Sequence, residues 1–334
     1  MSGGGEWWQC PCPLESVPRV RVCDPKLLDF IREQRPIVIT DSKLVESARH
    51  WDLEYMEKHM GDCKFTVYES KERVFMFSDE EKNLGNYKFT PTATKRSMTF
   101  QEFASEFREA MKSKDKFLYL QQGLNDTVGP TIVKDFVGFN WTWLTDVVKA
   151  LNWGHLTTNM LFVSMPHLVT PCHYDEQENF FAQVRGTKRV ILFHPDNFRC
   201  LYPYRYGHPC DRQSQVDFDN PDYERFPKFK DARGLEAILR PGDVLYIPRC
   251  WWHLVRSLDE LSVSVNFWYM SPPAIAEDIR FPLTASQKVA MMRNIEQMLL
   301  TALGSAGEVS DFLRMLVSGR YDTDANHTFR QLEM

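Results

Sequence analysis
No Cys-x-x-Cys pair occurs among the eight cysteines of this chain. Cys10 and Cys12 are one residue apart and have no matching pair elsewhere. A structural zinc site is therefore not expected, and free thiols in a reducing compartment are the default. No apolar run is long enough to span a membrane. There is no basic tract and the net charge is −5, which disfavours direct nucleic-acid binding. The opening Met1-Ser2-Gly3-Gly4-Gly5 leads into no hydrophobic signal core, so the expectation is a cytoplasmic protein, with the nucleus left open. Internal repeats are absent too. What remains is a chain of 334 residues with 43% hydrophobic content, enough for one large domain with appendages.

Within it stands His173-Tyr174-Asp175, and a third residue answers at His253. Two histidines and a carboxylate form the ligand set of the non-haem Fe(II) facial triad, which leaves the opposite face of an octahedral ion open. His-x-Asp alone is weak, since it arises by chance roughly once in every one or two chains of this kind. A second copy, His50-Trp51-Asp52, is present. Context separates the two. Asp52 precedes Leu53 to Met60 and Gly61, a pattern of N-cap, helix and stop, so that copy is structural. Asp175 instead precedes a strand at Asn179 to Val184, a turn at Arg185-Gly186-Thr187, and a strand at Lys188 to Phe193. On a strand, residues i and i+2 share a face, so His173 and Asp175 aim at one point. Pro241-Gly242-Asp243 marks a turn. Strands follow at Val244–Pro248, at Trp251–Val255 around His253, and at Leu261–Tyr269. A lone histidine is ordinarily a hydrogen-bonded core residue. Here three ligands fall on strands that converge, which favours the metal.

Residues 1–23 contain Gly and Pro and are expected to be mobile. Asp24-Pro25 is read as an N-cap followed by a first-turn proline. Residues 24–116 read as α/β elements flanking the barrel, with a capping box at Thr99-Phe100-Gln101-Glu102 opening an amphipathic helix. The barrel is assigned to 117–270, with a polar insertion at 199–240. After Arg280 two apolar faces follow, one through Val289, Met292, Ile295, Leu299 and Leu303, the other through Val309, Phe312, Leu313, Leu316 and Val317. These helices occupy 285–321.

Longer runs narrow the reading. They include Tyr119-Leu120-Gln121-Gln122, Thr170 to Gln177, Asn179 to Gln183, Cys210 to Phe218, Gly242 to Pro248 and Val265 to Tyr269. Between about Asp24 and Tyr321 the chain resembles the JmjC-type double-stranded β-helix (jelly-roll, cupin) oxygenases, and most of all their asparaginyl hydroxylase branch. The resemblance implies a mainly β barrel with flanking helices and a C-terminal helical dimerisation element. It implies Fe(II) on His173, Asp175 and His253, with 2-oxoglutarate and dioxygen as co-substrates. A buried cation and hydroxyl donors would hold the far carboxylate of 2-oxoglutarate: Lys188, which shares parity with Val190 and Leu192, with Tyr119 and Thr170. Asn179 and Asn266 would surround the same molecule.

The branch hydroxylates the β-carbon of asparagine in extended peptides of a hypoxia-inducible transcription factor and of ankyrin-repeat proteins. Arg212 and Gln213 would clamp the side-chain amide, which offers one acceptor and two donors. The competing role for Arg212 is an ion pair with Asp211, Asp217 or Asp219. Gln121 and Trp268 would line the peptide groove. The C-terminal helices would pair two copies, with Leu313 and Val317 at the centre. Two departures stand out. Met160 and Phe162 replace leucines of the family, and Phe77 falls where the family carries tyrosine. The alternatives are another JmjC hydroxylase or a methyl-lysine demethylase, and a catalytically silent cupin that binds ankyrin proteins.

Overall fold
The computed structural model describes residues 8–79, 81, 83, 84, 87–259, 261–271 and 282–318. Its strands are β1 (Leu14–Ser16), β2 (Arg19–Arg21), β3 (Ile37–Thr40), β4 (Phe65–Ser70), β5 (Ala93–Met98), β6 (Phe117–Gly123) and β7 (Leu156–Ser164). They continue as β8 (Val169–Tyr174), β9 (Glu178–Arg185), β10 (Lys188–Phe193), β11 (Gly234–Leu239), β12 (Val244–Ile247), β13 (Trp252–Ser257) and β14 (Ser262–Tyr269). The helices are α1 (Leu27–Arg32), α2 (Leu53–His59), α3 (Phe100–Ser113), α4 (Pro130–Val137), α5 (Trp141–Ala150), α6 (Ala285–Leu303) and α7 (Ala306–Val317).

Two sheets face each other. One runs β1-β11-β10-β13-β8, the other β2-β3-β12-β9-β14-β7-β6-β4-β5. From β7 to β10 the chain alternates between the sheets strand by strand, and after the β10–β11 hairpin it alternates again to β14. This is the double-stranded β-helix, closed by eight strands from Leu156 to Tyr269. The barrel thus begins later than residue 117. β6 is a flanking strand hydrogen-bonded to β7, and α4 and α5 come between them in sequence.

The period of two decides the interior. On β9, Phe180, Ala182 and Val184 pack outward with the helices, while Phe181 points in. On β12, Val244 and Tyr246 face out and Leu245 and Ile247 face in. On β10, Ile191 and Phe193 pack under the insertion, whereas Val190 and Leu192 point in. Lys188 shares their parity and is buried. Burial on both faces explains why these strands read as near-continuous apolar runs. Side chains fill one end of the barrel and leave a cavity at the other.

Turns and caps set the register. Gly186 has φ +71°, and a Cβ there would meet Leu261 O at 2.3 Å, so only glycine closes the β9–β10 hairpin. Asp52 caps α2 by accepting from Tyr55 N at 2.8 Å. Thr99 and Glu102 form the capping box of α3.

Three boundaries are corrected. Residues 14–16 and 19–21, expected to be mobile, pair in parallel with β11 and β3, because those sheet edges offer unpaired backbone groups. Residues 1–7 lie outside the described part. α1 starts at Leu27 with Lys26 at its N-cap, and Asp24 accepts from Lys26 N at 2.9 Å without capping the helix. The insertion occupies 194–233, since β11 claims Gly234 to Leu239. α6 ends at left-handed Gly304 as its pattern implies, and α7 ends at Val317. Gly319 to Tyr321, included in the expected C-terminal helices, lie outside the described residues.

Candidate active site
His173 and His253 sit directly opposite each other on β8 and β13, with ring centroids 4.1 Å apart. A register shift between His253 and Val255 re-aims the strand beside them. Asp175 lies just past the end of β8, and its carbonyl accepts from Cys250 N at 2.7 Å. Its Oδ2 stands 3.8 Å from His253 Nε2. The ligand atoms of all three residues lie within 4.8 Å of one another.

The surroundings fix which atoms face that point. His173 Nδ1 lies 2.8 Å from Pro171 O, and His253 Nδ1 lies 3.0 Å from Trp251 O. A carbonyl only accepts, so each Nδ1 carries the proton and each Nε2 offers a lone pair. Trp268 Nε1 donates to Asp175 Oδ2 at 2.9 Å. Burial pushes His253 down to about 4, so it is neutral and ligand-competent at pH 7. Burial opposes the charged form of Asp175, but His173, His253 and Arg212 outweigh it and hold the carboxyl below its usual range. One carboxylate, two imidazoles and an open side match the donor chemistry of iron.

The triad opens into a cavity of about 1160 Å³. Of the sequence-derived site residues, Tyr119, Thr170, Lys188, Asn266, Gln121, Arg212, Gln213 and Trp268 line it with the triad. Asn179 does not. It is buried with both amide atoms unpartnered, and Phe181, two residues on along the same face, takes the cavity wall.

Lys188 is 2% exposed, and Nζ donates to Ser264 Oγ at 2.9 Å. No acidic side chain pairs with it among the described residues. The rings of Phe181, Phe162 and Tyr119 stand 5.0, 5.9 and 6.0 Å from Nζ. Burial lowers Lys188 to about 7. An unpaired buried ammonium is costly, and a bound anion would relieve that cost. Burial raises the Tyr119 phenol well above its usual range, and the Thr170 side chain beside it partly offsets that.

At the mouth, Arg212 has escaped the expected ion pairs. Asp211 is held by Arg293, Asp219 by Arg73 and Arg256, and Asp217 caps Asp219 N. Arg212 turns to Asp175 instead, at 3.9 Å. Gln213 Nε2 donates to Phe77 O, which leaves its Oε1 without a partner. Gln121 Nε2 and Asn266 Oδ1 are likewise buried and unpartnered. Met160, Phe162 and Phe77 all line the cavity, so the departures noted in the sequence fall on its wall. Sequence reasoning missed Phe181 and Ser264 beside Lys188. Alternation along β9 and β14 could have found both.

Residues 26–275 match the cupin-like domain family. The chain belongs to that family. Among relatives of this cupin, Lysine-specific demethylase 8 of Danio rerio is 30% identical over 264 residues, 77% of this chain and 59% of the relative. tRNA wybutosine-synthesizing protein 5 of Danio rerio is 27% identical over 286 residues, 81% of this chain and 80% of the relative. JmjC domain-containing protein D of Dictyostelium discoideum is 44% identical over 92 residues, 28% of this chain and 20% of the relative. The chain spans less than two thirds of the length of that demethylase. Fold, triad and family together describe a cupin-like domain whose metal set fits iron.

Proposed function
We propose that this cupin is an Fe(II)- and 2-oxoglutarate-dependent dioxygenase that hydroxylates a protein side chain. One observation carries the reading: the two-histidine, one-carboxylate set shares its cavity with a buried lysine that pairs with no acidic side chain among the described residues. Iron bound there would couple the decarboxylation of 2-oxoglutarate to succinate with insertion of oxygen from dioxygen into a C–H bond. The protein's contribution is placement. Pro171 O and Trp251 O orient the imidazoles, Trp268 holds the carboxylate, and Lys188 with Ser264, Tyr119 and Thr170 forms the receptor for the distal carboxylate.

The target we favour is the β-carbon of asparagine in an extended peptide, as the sequence resemblance implies. Gln213 Oε1 is an unused acceptor, and Gln121 Nε2 and the Arg212 guanidinium are donors on the same cavity. A primary amide needs that combination. Peptides of a hypoxia-inducible transcription factor and of ankyrin-repeat proteins are the proposed partners, and a second copy of the chain is the proposed partner of the C-terminal helices. The demethylase name of one relative supports a second reading, removal of a methyl group from lysine.

The test incubates the protein with Fe(II), ascorbate, 2-oxoglutarate and either an asparagine-bearing ankyrin peptide or a methyl-lysine peptide, read by tandem mass spectrometry. One oxygen added to asparagine, absent with His173→Ala, is the expected result. Loss of a methyl from lysine would replace it with the second reading. Iron uptake without succinate from either peptide would leave a silent binding module.

A further inference from the structure
Arg293 lies on α6, 119 residues after Tyr174, yet it reaches the metal centre's two supporting segments. Its Nε donates to Glu176 Oε1 at 2.8 Å. Its two terminal nitrogens take both oxygens of Asp211 at 2.8 and 2.9 Å. Nη1 also meets the Tyr174 hydroxyl at 3.3 Å. The side chain is 12% exposed, so this bidentate pair is largely shielded from solvent.

Those partners are neighbours of functional candidates. Glu176 follows the ligand Asp175, and Asp211 precedes Arg212. Arg212 has φ +66°, a left-handed backbone that a side-chain-bearing residue adopts only when its surroundings impose it. Tyr174 N donates to Arg212 O at 3.1 Å, and Ser214 N donates to Cys172 O at 2.8 Å. The 212–214 segment therefore lies along β8 beside His173. These bonds join the segment that follows Asp211 to the ligand strand. α6 holds the same insertion a second time, where Glu296 Oε2 accepts from Tyr206 N at 2.8 Å.

We propose that Arg293 is a positioning residue of the metal centre: by joining Glu176 to Asp211 it fixes the Asp175 carboxylate and the left-handed Arg212 relative to each other. The inference rests on the metal reading above. It makes α6 part of the active site's support as well as a candidate dimer element.

Co(II) is the probe. Wild type, Arg293→Lys, Arg293→Met, Asp211→Asn and the Arg293→Met/Asp211→Asn double variant are titrated with Co(II). The dissociation constant and visible d–d absorption are recorded beside a thermal melt of each apo protein. Arg293→Met is expected to weaken Co(II) binding about tenfold and to shift the d–d bands, as loss of an outer support does. Arg293→Lys keeps the charge and loses the fork, so it falls between. The double variant is expected to be no worse than its worse parent, because both changes break one link. Unchanged affinity and bands with only a lowered melt would overturn the proposal and leave Arg293 a stabilising ion pair. If Arg293→Met does not fold, Arg293→Lys and Asp211→Asn decide by the same two readings. Failure of wild type to take up Co(II) would overturn the metal reading itself, a result distinct from unchanged variants.

Discussion

Trp268 donates its indole N–H to Asp175 Oδ2 at 2.9 Å, so a residue of the cavity wall holds the only carboxylate of the metal set. Trp268→Phe keeps the ring and removes the donor. The expected result is metal binding weakened about tenfold, measured by Fe(II) or Mn(II) titration. An unchanged dissociation constant would show that the bond does not orient the ligand.

Lys188 gives a pH dependence with a definite sign. Burial lowers its folded value to about 7 from the ordinary lysine value of 10.5. Between those values the unfolded chain binds the proton and the folded apo protein does not, so this group makes stability rise with pH through that window. Below about 7 the buried ammonium is charged, and its destabilising effect is fully present. Anion binding favours the charged form. Calorimetry of 2-oxoglutarate binding should therefore weaken as pH rises above 7, with proton uptake visible as a buffer-dependent enthalpy. Lys188→Met should lose both effects. Binding that is flat with pH would refute the assignment.

The decoy motif makes its own prediction. Asp135 Oδ2 accepts from Trp51 Nε1 at 2.9 Å, from Tyr55 Oη at 2.9 Å, and lies 3.1 Å from His50 Nε2. Asp135→Ala strands the buried Trp51 donor and the Tyr55 hydroxyl. It should cost about 3 kcal/mol in denaturant unfolding, with metal binding intact. Loss of metal binding at full stability would mean that His50-Trp51-Asp52 is more than structural.

α7 buries none of its residues, and Met315, Leu316 and Val317 are 68, 41 and 40% exposed. Pairing of two copies through these helices predicts that Leu313→Arg elutes as a monomer on a sizing column at a concentration where wild type elutes as a dimer. Equal elution volumes would sink that proposal.

Local chemistry made much of this protein legible. The i, i+2 spacing of His173 and Asp175, the Gly186 hairpin, the Thr99 capping box and the parity of Lys188 with Val190 and Leu192 are each decided within a few residues. Strand and helix periods act at that range, so the barrel strands and the shared face of His173 and Asp175 followed from them, while His253 and the inward Lys188 were named with the help of the family resemblance. Three things did not follow. Residues 14–16 and 19–21 lie in strands because β11 and β3 present open edges, which no local pattern shows. Asn179 shares a face with Phe181, yet only packing between the sheets decides which of them reaches the cavity. Arg293 is separated from Tyr174 by 119 residues, and only the folding of α6 over the insertion brings a guanidinium to Glu176 and Asp211. Sequence determined the ligands and the faces they occupy. Tertiary structure decided what holds them in place, because the supporting atoms come from distant segments that meet only after the sheets have closed.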